Sequence, residues 1–277
     1  MVIEKPGASI EKNMSIPAAP SIFDLSQRRL WVFGGAGYLG RAVVSALDSQ
    51  NADVMCIDLE DRAQAFIAEW NLSSRAVPVS LNVIETDEVL AWIQKECEAG
   101  RSPHGAVFLT TPLSGTPLDQ LTREELTSYN EAGLSALFCV VREVGSAMVR
   151  QGGGSLVLFS SMYGLVAPDS RIYEGLLAPN PIQYGMQKAA IDQMMRYLAV
   201  TWGKHAVRCN SVIPGPFPNL SVQKNHPEFV ARLADKTPMG RIGKADEIAG
   251  AVAFLLSDAA TYINGHGLVV DGGWTAW

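Results

Sequence analysis

Two ionisable side chains four residues apart, Tyr184 and Lys188, could exchange a proton with a bound molecule. They lie in a segment whose pattern predicts a helix, and residues four apart on a helix share one face. The apolar run 154–160 predicts a buried parallel strand that ends in the hydroxyls of Ser160 and Ser161. A serine, a tyrosine and a lysine that meet at a strand end suit proton transfer to or from an alcohol oxygen.

A second group of residues is typical of a phosphate-binding turn. The glycine-rich segment 34–40 connects a predicted strand, 29–34, to a predicted helix, 38–50. Glycines let the backbone approach a pyrophosphate, and the N–H groups at a helix N-terminus favour that anion. The next predicted strand, 53–58, ends in Asp58, whose carboxylate can accept hydrogen bonds from both ribose hydroxyls of NAD and would repel the 2′-phosphate of NADP. The sequence therefore predicts NAD, with helix capping as the alternative role of Asp58.

Apolar stretches alternate with amphipathic ones from Arg29 onward. This alternation is typical of a parallel sheet whose right-handed crossover helices cover both faces. It predicts one α/β domain with a doubly wound, Rossmann-type sheet of about seven strands. The predicted strands are 29–34, 53–58, 75–80, 105–110, 154–160, 206–213 and 267–270, and the predicted helices are 38–50, 61–70, 86–99, 122–150, 183–203 and 245–257.

The N-terminal segment and two long loops complete the predicted organisation of the chain. Residues 1–22 combine three prolines with polar residues, which predicts a flexible N-terminal arm in front of one dinucleotide-binding domain at 23–277. The long segments 162–182 and 214–240 each follow a predicted strand end, where sheets of this kind bind ligands. We therefore expect both segments to be substrate loops.

The bulk composition argues against several classes of protein. A net charge of −6 and an isoelectric point near 5.3 disfavour nucleic acid or an anionic membrane surface as a partner. No apolar run approaches the length of a membrane span, and the N-terminus lacks the apolar core of a signal peptide. We therefore expect a cytoplasmic protein that acts on a small molecule.

The cysteines and histidines do not predict a metal site. The four cysteines are far apart without a CxxC pair, and three of them fall in apolar runs, which predicts reduced, buried thiols. The four histidines lack the spacing of metal ligands. These residues are Cys56, Cys97, Cys139, Cys209, His104, His205, His226 and His266.

Taken together, these motifs resemble the short-chain dehydrogenase/reductase family over about residues 23–277. Segments 163–168, 171–175 and 271–277 are more loosely similar to flagellin-modification oxidoreductases and gluconate 5-dehydrogenase-like members. The resemblance implies hydride transfer between NAD and a secondary alcohol or ketone, and the subgroup implies a sugar or sugar acid as the substrate. It rests on the glycine turn, Asp58, Ser161, Tyr184 with Lys188, and the segments 210–215 and 264–273.

The family resemblance also implies a role for each site residue. Tyr184 would be the acid/base that exchanges a proton with the substrate oxygen. Lys188 and the positive nicotinamide ring would lower the pKa of Tyr184, and Lys188 would also hold the nicotinamide ribose. Ser161 would hydrogen-bond the substrate oxygen, with Ser160 as the alternative. The implied cofactor-binding residues are Gly34, Gly37, Tyr38, Leu39, Asp58, Asn82, Val83, Thr110, Thr111, Tyr184, Lys188, Pro214, Gly215 and Phe217.

The chain departs from the family most sharply on the predicted helix 122–150. The position of the family's catalytic asparagine falls on Gly133, and Asn130 lies one turn earlier. In the family that asparagine sits at a helix kink, where its main-chain carbonyl holds a water linked to the lysine. Glycine permits a kink and keeps the carbonyl, so the relay can survive. Alternatively, Gly133 serves only close packing, and the chain is an NAD-binding regulatory or scaffold protein.

Smaller departures concern the turn and the end of the fourth predicted strand. Phe33 replaces the usual threonine and Tyr38 enters the glycine turn, while Thr110 and Thr111 stand where the family has asparagines. Asn219 could replace the threonine that usually binds the carboxamide. Because backbone N–H groups hold the phosphates, the changes in the turn should alter its shape more than its ligand.

Residues around the expected substrate loops give further hypotheses. Tyr163 is expected to line the substrate pocket, and Arg171 with Glu174 could bind the carboxylate or hydroxyls of a sugar, although solvated loop charges are the alternative. Trp274 and Trp277 near the C-terminus fit burial in a subunit interface, and the family resemblance also implies a homodimer or homotetramer.

Overall fold

Seven parallel strands form one sheet in the computed structural model, which describes residues 21–112 and 115–277. The strands are β1 (Arg29–Phe33), β2 (Asp53–Asp58), β3 (Ala76–Ser80), β4 (Gly105–Phe108), β5 (Gly154–Phe159), β6 (Val207–Pro214) and β7 (Gly267–Val270). Their order across the sheet is β3-β2-β1-β4-β5-β6-β7, which confirms the predicted doubly wound fold. Apart from its last two residues, the predicted arm at 1–22 lies outside the described residues.

Helices cover both faces of this sheet. They are α1 (Tyr38–Ser49), α2 (Arg62–Glu69), α3 (Thr86–Glu98), α4 (Arg123–Asn130), α5 (Ala136–Gln151), α6 (Ser170–Tyr173), α7 (Ile182–Trp202), α8 (Leu220–Asn225), α9 (Pro227–Lys236) and α10 (Ala245–Leu256). The long segments 162–182 and 214–240 are therefore not plain loops, because they contain α6 and α8 with α9.

Two apolar layers hold the helices on the sheet. Successive residues of a strand point to opposite faces, and both faces of a parallel sheet are buried. In β5, Leu156 and Leu158 belong to the layer that contains buried residues of α3, α5 and α7, whereas Val157 belongs to the layer of α1 and α10. This double burial explains the unbroken apolar run that predicted β5.

The direction of the strand order reverses between β1 and β4, which are neighbours in the sheet. The chain moves outward from β1 to β2 and β3 on one side, returns to β4, and then moves outward to β5, β6 and β7 on the other side. A crevice opens where such connections diverge, outside the carboxyl ends of the strands. Phe33 and Phe108 end these two strands, pair in register and stack with ring centroids 4.9 Å apart. Both rings are buried in the apolar layer that contains residues of α3, α5 and α7.

The predicted helix 122–150 is interrupted. Thr122 begins α4 with a capping box, in which its hydroxyl accepts from the N–H of Glu125. The helix then passes through a π-helical turn, Glu131–Ser135, before α5. In that turn the N–H of Ala136 donates to the carbonyl of Glu131, five residues back. Such a turn adds one residue to the helix and is common at functional sites.

The expectation that no segment reaches the length of a membrane span needs a correction. The continuous helical stretch Arg123–Gln151 has 29 residues and a mean hydropathy of 1.5 in its most apolar window. Half of that window is buried inside the protein. A core helix of a folded domain meets the same length and composition test, so this is weak evidence for a membrane span.

Candidate active site

A cavity of about 570 Å³ lies outside the carboxyl ends of the strands, where the strand order reverses. Side chains and backbone from both halves of the sheet line it. The lining includes all fourteen residues proposed from the sequence to bind the cofactor, and also Ser160, Ser161 and Asn219. Sequence reasoning missed other lining residues, among them Arg62, Pro112, Ala132 and Phe159.

The glycine turn forms one end of this cavity. Gly34 has φ of +80°, a conformation that side chains disfavour. A β-carbon on Gly40 would overlap the carbonyl of Gly34, so only glycine lets α1 start so close to the turn. No side chain among the described residues caps α1 at Gly37. The first N–H groups of this helix are therefore free to bind an anion in the cavity.

Asp58 anchors the turn as well as lining the cavity. One carboxylate oxygen accepts from the N–H of Ala36 at 2.8 Å, and the other accepts from the N–H of Leu59 at 2.9 Å. The guanidinium of Arg62, four residues later, lies 3.0 Å from the second oxygen. The N-cap of α2 is Asp61, so helix capping is not the role of Asp58. The i,i+4 spacing could have revealed Arg62.

The two serines after β5 differ in their contacts. The Ser160 hydroxyl lies 2.7 Å from a carboxylate oxygen of Asp192 and 3.0 Å from the main-chain carbonyl of Lys188. The Ser161 oxygen accepts only a long bond, 3.2 Å, from the N–H of Tyr163. Ser160 is therefore engaged inside the protein, whereas the Ser161 hydroxyl lies in the cavity within hydrogen-bonding reach of Tyr184.

Lys188 is buried at the base of the cavity. Its Nζ donates to the carbonyl of Phe159 at 3.0 Å and lies 5.5 Å from the centre of the Tyr184 ring. Burial lowers the pKa of Lys188 from 10.5 to about 8, although the Asp192 carboxylate opposes this shift. Asp192, which also accepts from Ser211 at 2.7 Å, was missed from the sequence. Its place four residues after Lys188 was the available signal.

The protonation of Tyr184 in the protein alone differs from the expectation. Burial raises the pKa of its phenol, and a hydrogen bond with Ser161 lowers it by less. The lysine does not outweigh burial here. A lowered pKa for Tyr184 would therefore have to come mainly from positive charge that arrives with a bound cofactor.

Gly133 lies in the π-helical turn, next to Ala132, which lines the cavity. A β-carbon on Gly133 would overlap the side-chain amide of Gln187 and come within 2.8 Å of Cγ of Pro112. The structure therefore shows both a deformed helix and close packing at this glycine, and the two interpretations of its role stay open. The helix is deformed at Gly133, and the space of a side chain is filled by Gln187 from α7.

An aromatic cluster covers the side of the cavity that contains Tyr184. It packs α6 and α9 against the chain end and consists of Met162, Tyr163, Ile172, Tyr173, Phe229, Leu233 and Trp274, with Tyr184 against it. The hydroxyls of Tyr163 and Tyr173 lie 2.6 Å apart. Trp274 is buried inside its own chain, so the prediction that it lies in a subunit interface is wrong, whereas Trp277 is 75% exposed.

The charged residues of the 162–182 segment do not line the cavity. The guanidinium of Arg171 is exposed and forms a two-point ion pair with Asp169 at 2.7 and 2.8 Å. The pKa of Asp169 falls to about 2 through this pairing. Neither Arg171 nor Glu174 lines the cavity. The hypothesis that they bind the substrate is therefore not supported, and the alternative of solvated loop charges describes them.

Metal-ligating residues do not cluster in the described part of the chain, and its four cysteines are free thiols. Cys56 and Cys209 are buried. Burial raises the pKa of Cys56 to about 12, so this thiol stays protonated at neutral pH.

Comparison with known proteins adds an independent finding. A family model described as enoyl-(acyl carrier protein) reductase matches residues 35–275. The chain is 30% identical to L-rhamnose 1-dehydrogenase (NAD(P)(+)) of Sphingomonas sp. strain SKA58 over 90% of this chain and 96% of that protein. It is 27% identical to gluconate 5-dehydrogenase of Gluconobacter oxydans strain 621H over 92% and 98%.

Among solved structures, the fold is similar to that of a short chain dehydrogenase from Leptospira borgpetersenii serovar Hardjo-bovis with bound NAD+. The TM-score is 0.81 at 25% identity, over 98% of this chain and 99% of that one. The likeness therefore extends over the whole sheet and the cavity beside it.

Proposed function

The chain belongs to the short-chain dehydrogenase/reductase family, and we propose that it interconverts a secondary alcohol and a ketone on a sugar-like molecule with NAD. It is an NAD(P)-dependent oxidoreductase. The observation that carries the proposal is the meeting of Ser161, Tyr184 and Lys188 in one cavity with the glycine turn. A regulatory protein that only binds NAD would not need all three side chains together.

The chain's own residues suit each part of this reaction. The Tyr184 hydroxyl would exchange the proton of the substrate oxygen, and the Ser161 hydroxyl would hydrogen-bond that oxygen as charge develops on it. Lys188, held by the carbonyl of Phe159, would stabilise the phenolate of Tyr184. The nicotinamide, when bound, supplies the site that accepts or donates the hydride. The apolar cluster over Tyr184 would keep water from this region.

The fit of the cavity to a dinucleotide is supported at three places. Free N–H groups at the start of α1 suit the pyrophosphate, and the Asp58 carboxylate suits the ribose hydroxyls. Asn219 has its side-chain oxygen bound to the N–H of Val222 at 3.0 Å, and its amide N–H groups would be available to the carboxamide of the nicotinamide. We propose that NAD is preferred over NADP, although the guanidinium of Arg62 weakens the repulsion that Asp58 exerts on a phosphate.

The substrate class follows from the relatives and from the charges near Tyr184. The relatives named above act on rhamnose and gluconate. In this chain, the cations beside the aromatic cluster have partners: Arg171 and Lys236 contact Asp169, and Arg232 contacts Glu228. A carboxylate substrate would find no unpaired cation among these three. We therefore rank neutral sugars and polyols ahead of sugar acids.

A dehydrogenase assay tests this function directly. The purified protein is mixed with NAD+ or NADP+ and a panel of polyols, neutral sugars and sugar acids, and the reduced cofactor is followed by its absorbance. We expect turnover with NAD+ and a neutral sugar or polyol. If no compound is oxidised while NAD+ binds by calorimetry, the chain is a binding protein and the proposed reaction is wrong.

We also propose that the protein is a homodimer or homotetramer in the cytoplasm. Large apolar side chains are exposed on the outer faces of α5 and α7, including Phe138, Tyr197 and Val200, which is 86% exposed. Apolar surface of this kind is best buried against a symmetry-related copy. Light scattering at micromolar concentration is expected to give a multiple of the chain mass. A monomeric mass would contradict this proposal.

A further inference from the structure

The short helix α6 makes few main-chain bonds of its own. It contains only the four residues Ser170–Tyr173, and a helix of one turn is not stable by itself. Asp169 caps its start by accepting from the N–H of Arg171 at 3.1 Å. Just after its end, Gly175 has φ of +73° and lies in a left-handed turn. Contacts from elsewhere in the chain must therefore hold α6 in place.

Arg232 on α9 supplies such contacts. Its Nη1 donates to the main-chain carbonyls of Glu174 at 2.8 Å, Arg171 at 3.2 Å and Ile172 at 3.3 Å. The other terminal nitrogen, Nη2, lies 2.9 Å from a carboxylate oxygen of Glu228, one turn earlier on α9. Hydrogen bonds from a charged donor are stronger than neutral ones. The guanidinium of Arg232 therefore joins the end of α6 to α9.

The start of α6 has a second, weaker contact with the same helix. Lys236 lies four residues after Arg232, and its Nζ is 3.8 Å from the capping carboxylate of Asp169. The same Nζ lies 5.7 Å from the centre of the Trp274 ring. Residues four apart share one face of a helix. One face of α9 therefore contacts both ends of α6.

Aromatic packing connects α6 with the reacting groups. Tyr173, the last residue of α6, is buried, and its hydroxyl lies 2.6 Å from that of Tyr163. The N–H of Tyr163 donates to the Ser161 oxygen at 3.2 Å, and Tyr184 packs against the same aromatic cluster. Ser161 and Tyr184 both line the cavity. Direct contacts therefore lead from the end of α6 to the two residues proposed to hold the substrate oxygen.

We propose that Arg232 is a positioning residue, which holds α6 against α9 and so keeps the aromatic cluster packed behind Ser161 and Tyr184. This inference rests on the proposed dehydrogenase function. Arg232 does not line the cavity, so it acts through these side chains rather than on the substrate itself. Without its contacts to α6, we expect the short helix and its tyrosine to leave this position for part of the time.

Such a change affects KM rather than kcat. When only a fraction of the molecules has the binding-competent arrangement, the apparent affinity for substrate falls by that fraction. Saturating substrate restores the arrangement, so the maximal rate is kept. A general loss of stability would instead reduce the amount of active protein, which lowers the measured kcat and leaves KM unchanged.

The test uses Arg232→Lys, which keeps the positive charge and the apolar part of the side chain. An ammonium is a compact donor on a different stem and does not reproduce the fork of the guanidinium. We expect the KM for substrate to rise about tenfold, while kcat stays within about twofold. The Kd for NAD+ should also stay unchanged, because neither the glycine turn nor Asp58 belongs to the aromatic cluster. Steady-state kinetics and calorimetry measure these constants. Unchanged KM in Arg232→Lys would overturn the proposal.

Two control variants separate the contact with α6 from the charges around it. Arg171→Lys makes the same change on α6, where the side chain is exposed and pairs with Asp169, and it should leave KM unchanged. Glu228→Gln removes the charge beside Arg232 but keeps an acceptor oxygen, so KM should change by less than about twofold. A rise of KM in Glu228→Gln as large as that in Arg232→Lys would overturn the proposal, because the ion pair would then set the substrate affinity.

Hydrogen exchange reports on α6 without turnover. Amide exchange is followed by mass spectrometry in the unmodified protein and in Arg232→Lys. We expect peptides that cover 170–177 to exchange about tenfold faster in the variant, and peptides that cover α1 to exchange at the same rate. Equal rates at 170–177 would overturn the proposal whatever the activity assays give. Faster exchange there, with no turnover by the unmodified protein, would support the role of Arg232 in holding α6 and count against the dehydrogenase function alone.

Discussion

The two halves of the cavity differ in what they present to a ligand. The first half, from β1 and β2, offers mainly backbone: a glycine turn, the free N–H groups of α1 and one carboxylate, Asp58. The second half, from β5 and α7, offers side chains: Ser161, Tyr184 and Lys188, with Asp192 and Gln187 behind them. Departures from the family pattern therefore have different consequences in the two halves.

In the first half, a changed side chain need not be compensated. Phe33 and Tyr38 differ from the family pattern, yet Phe33 packs on Phe108, and the turn keeps its backbone donors. In the second half, the absent asparagine at Gly133 is matched by Gln187, which fills the same space from another helix. A site formed by backbone tolerates a changed side chain, whereas in a site formed by side chains a neighbouring side chain has to fill the space that a smaller residue leaves.

Tyr184→Phe should produce the largest effect on turnover, because it removes the hydroxyl that exchanges the proton in the second half of the cavity. Turnover is expected to fall about 100-fold to 10,000-fold, the usual contribution of a general acid or base. The Kd for NAD+ and the melting temperature should change little, since one hydroxyl is lost. Tyr262→Phe, at a fully exposed site, is the control. Retained turnover in Tyr184→Phe would contradict the proposed role of the second half of the cavity, because another residue would then have to exchange the proton.

Lys188→Met should damage both rate and cofactor binding, and it should change the pH dependence of stability. Burial lowers the folded pKa of Lys188 to about 8 from 10.5, so folding penalises the ammonium. This penalty is complete below pH 8 and disappears as the pH rises toward 10.5. The variant without cofactor should therefore melt higher than the unmodified protein at neutral pH, by a margin that shrinks above pH 8.

Differential scanning calorimetry at several pH values measures this margin. Thermal scans with NAD+ provide the control, because the variant should gain less stability from the cofactor than the unmodified protein does. A margin that stays constant with pH would show that Lys188 is not perturbed by its burial.

Asp58→Asn tests the one side chain in the first half of the cavity that is proposed to distinguish NAD from NADP. Loss of the charge should weaken NAD+ binding and strengthen NADP+ binding, so that their affinity ratio narrows about tenfold. Asp61→Asn, the same change at an exposed position three residues later, should leave the ratio unchanged. Isothermal calorimetry gives both constants. An unmodified protein that binds NADP+ more tightly than NAD+ would contradict the proposed preference.

Tyr38→Phe should produce the smallest effect. The Tyr38 hydroxyl makes one long contact, 3.3 Å to the amide of Gln223. Losing a neutral hydrogen bond of this kind changes binding by less than about fivefold. The Kd for NAD+ and kcat should therefore stay close to those of the unmodified protein. A loss of NAD+ affinity as large as that of Asp58→Asn would mean that the first half of the cavity also depends on its side chains for binding.

Local patterns in the sequence were sufficient to predict much of the fold and many of the residues that line the cavity. The unbroken apolar run of β5 predicted a strand buried on both faces of the sheet. The glycines of segment 34–40 predicted the turn that forms one end of the cavity. The spacing of Tyr184 and Lys188 placed both on one face of α7. These predictions succeeded because strand periodicity, helix periodicity and glycine conformation depend on neighbours in the chain.

Contacts between distant segments could not be predicted in this way. The burial of Trp274 depends on α6 and α9, which fold over the chain end, and the engagement of Ser160 depends on Asp192, 32 residues away. The sequence by itself determined the alternation of strands and helices, the glycine turn and the Tyr184–Lys188 pair. Only the tertiary structure decided that Gly133 and Gln187 occupy one space, because packing joins residues whose separation along the chain carries no periodic signal.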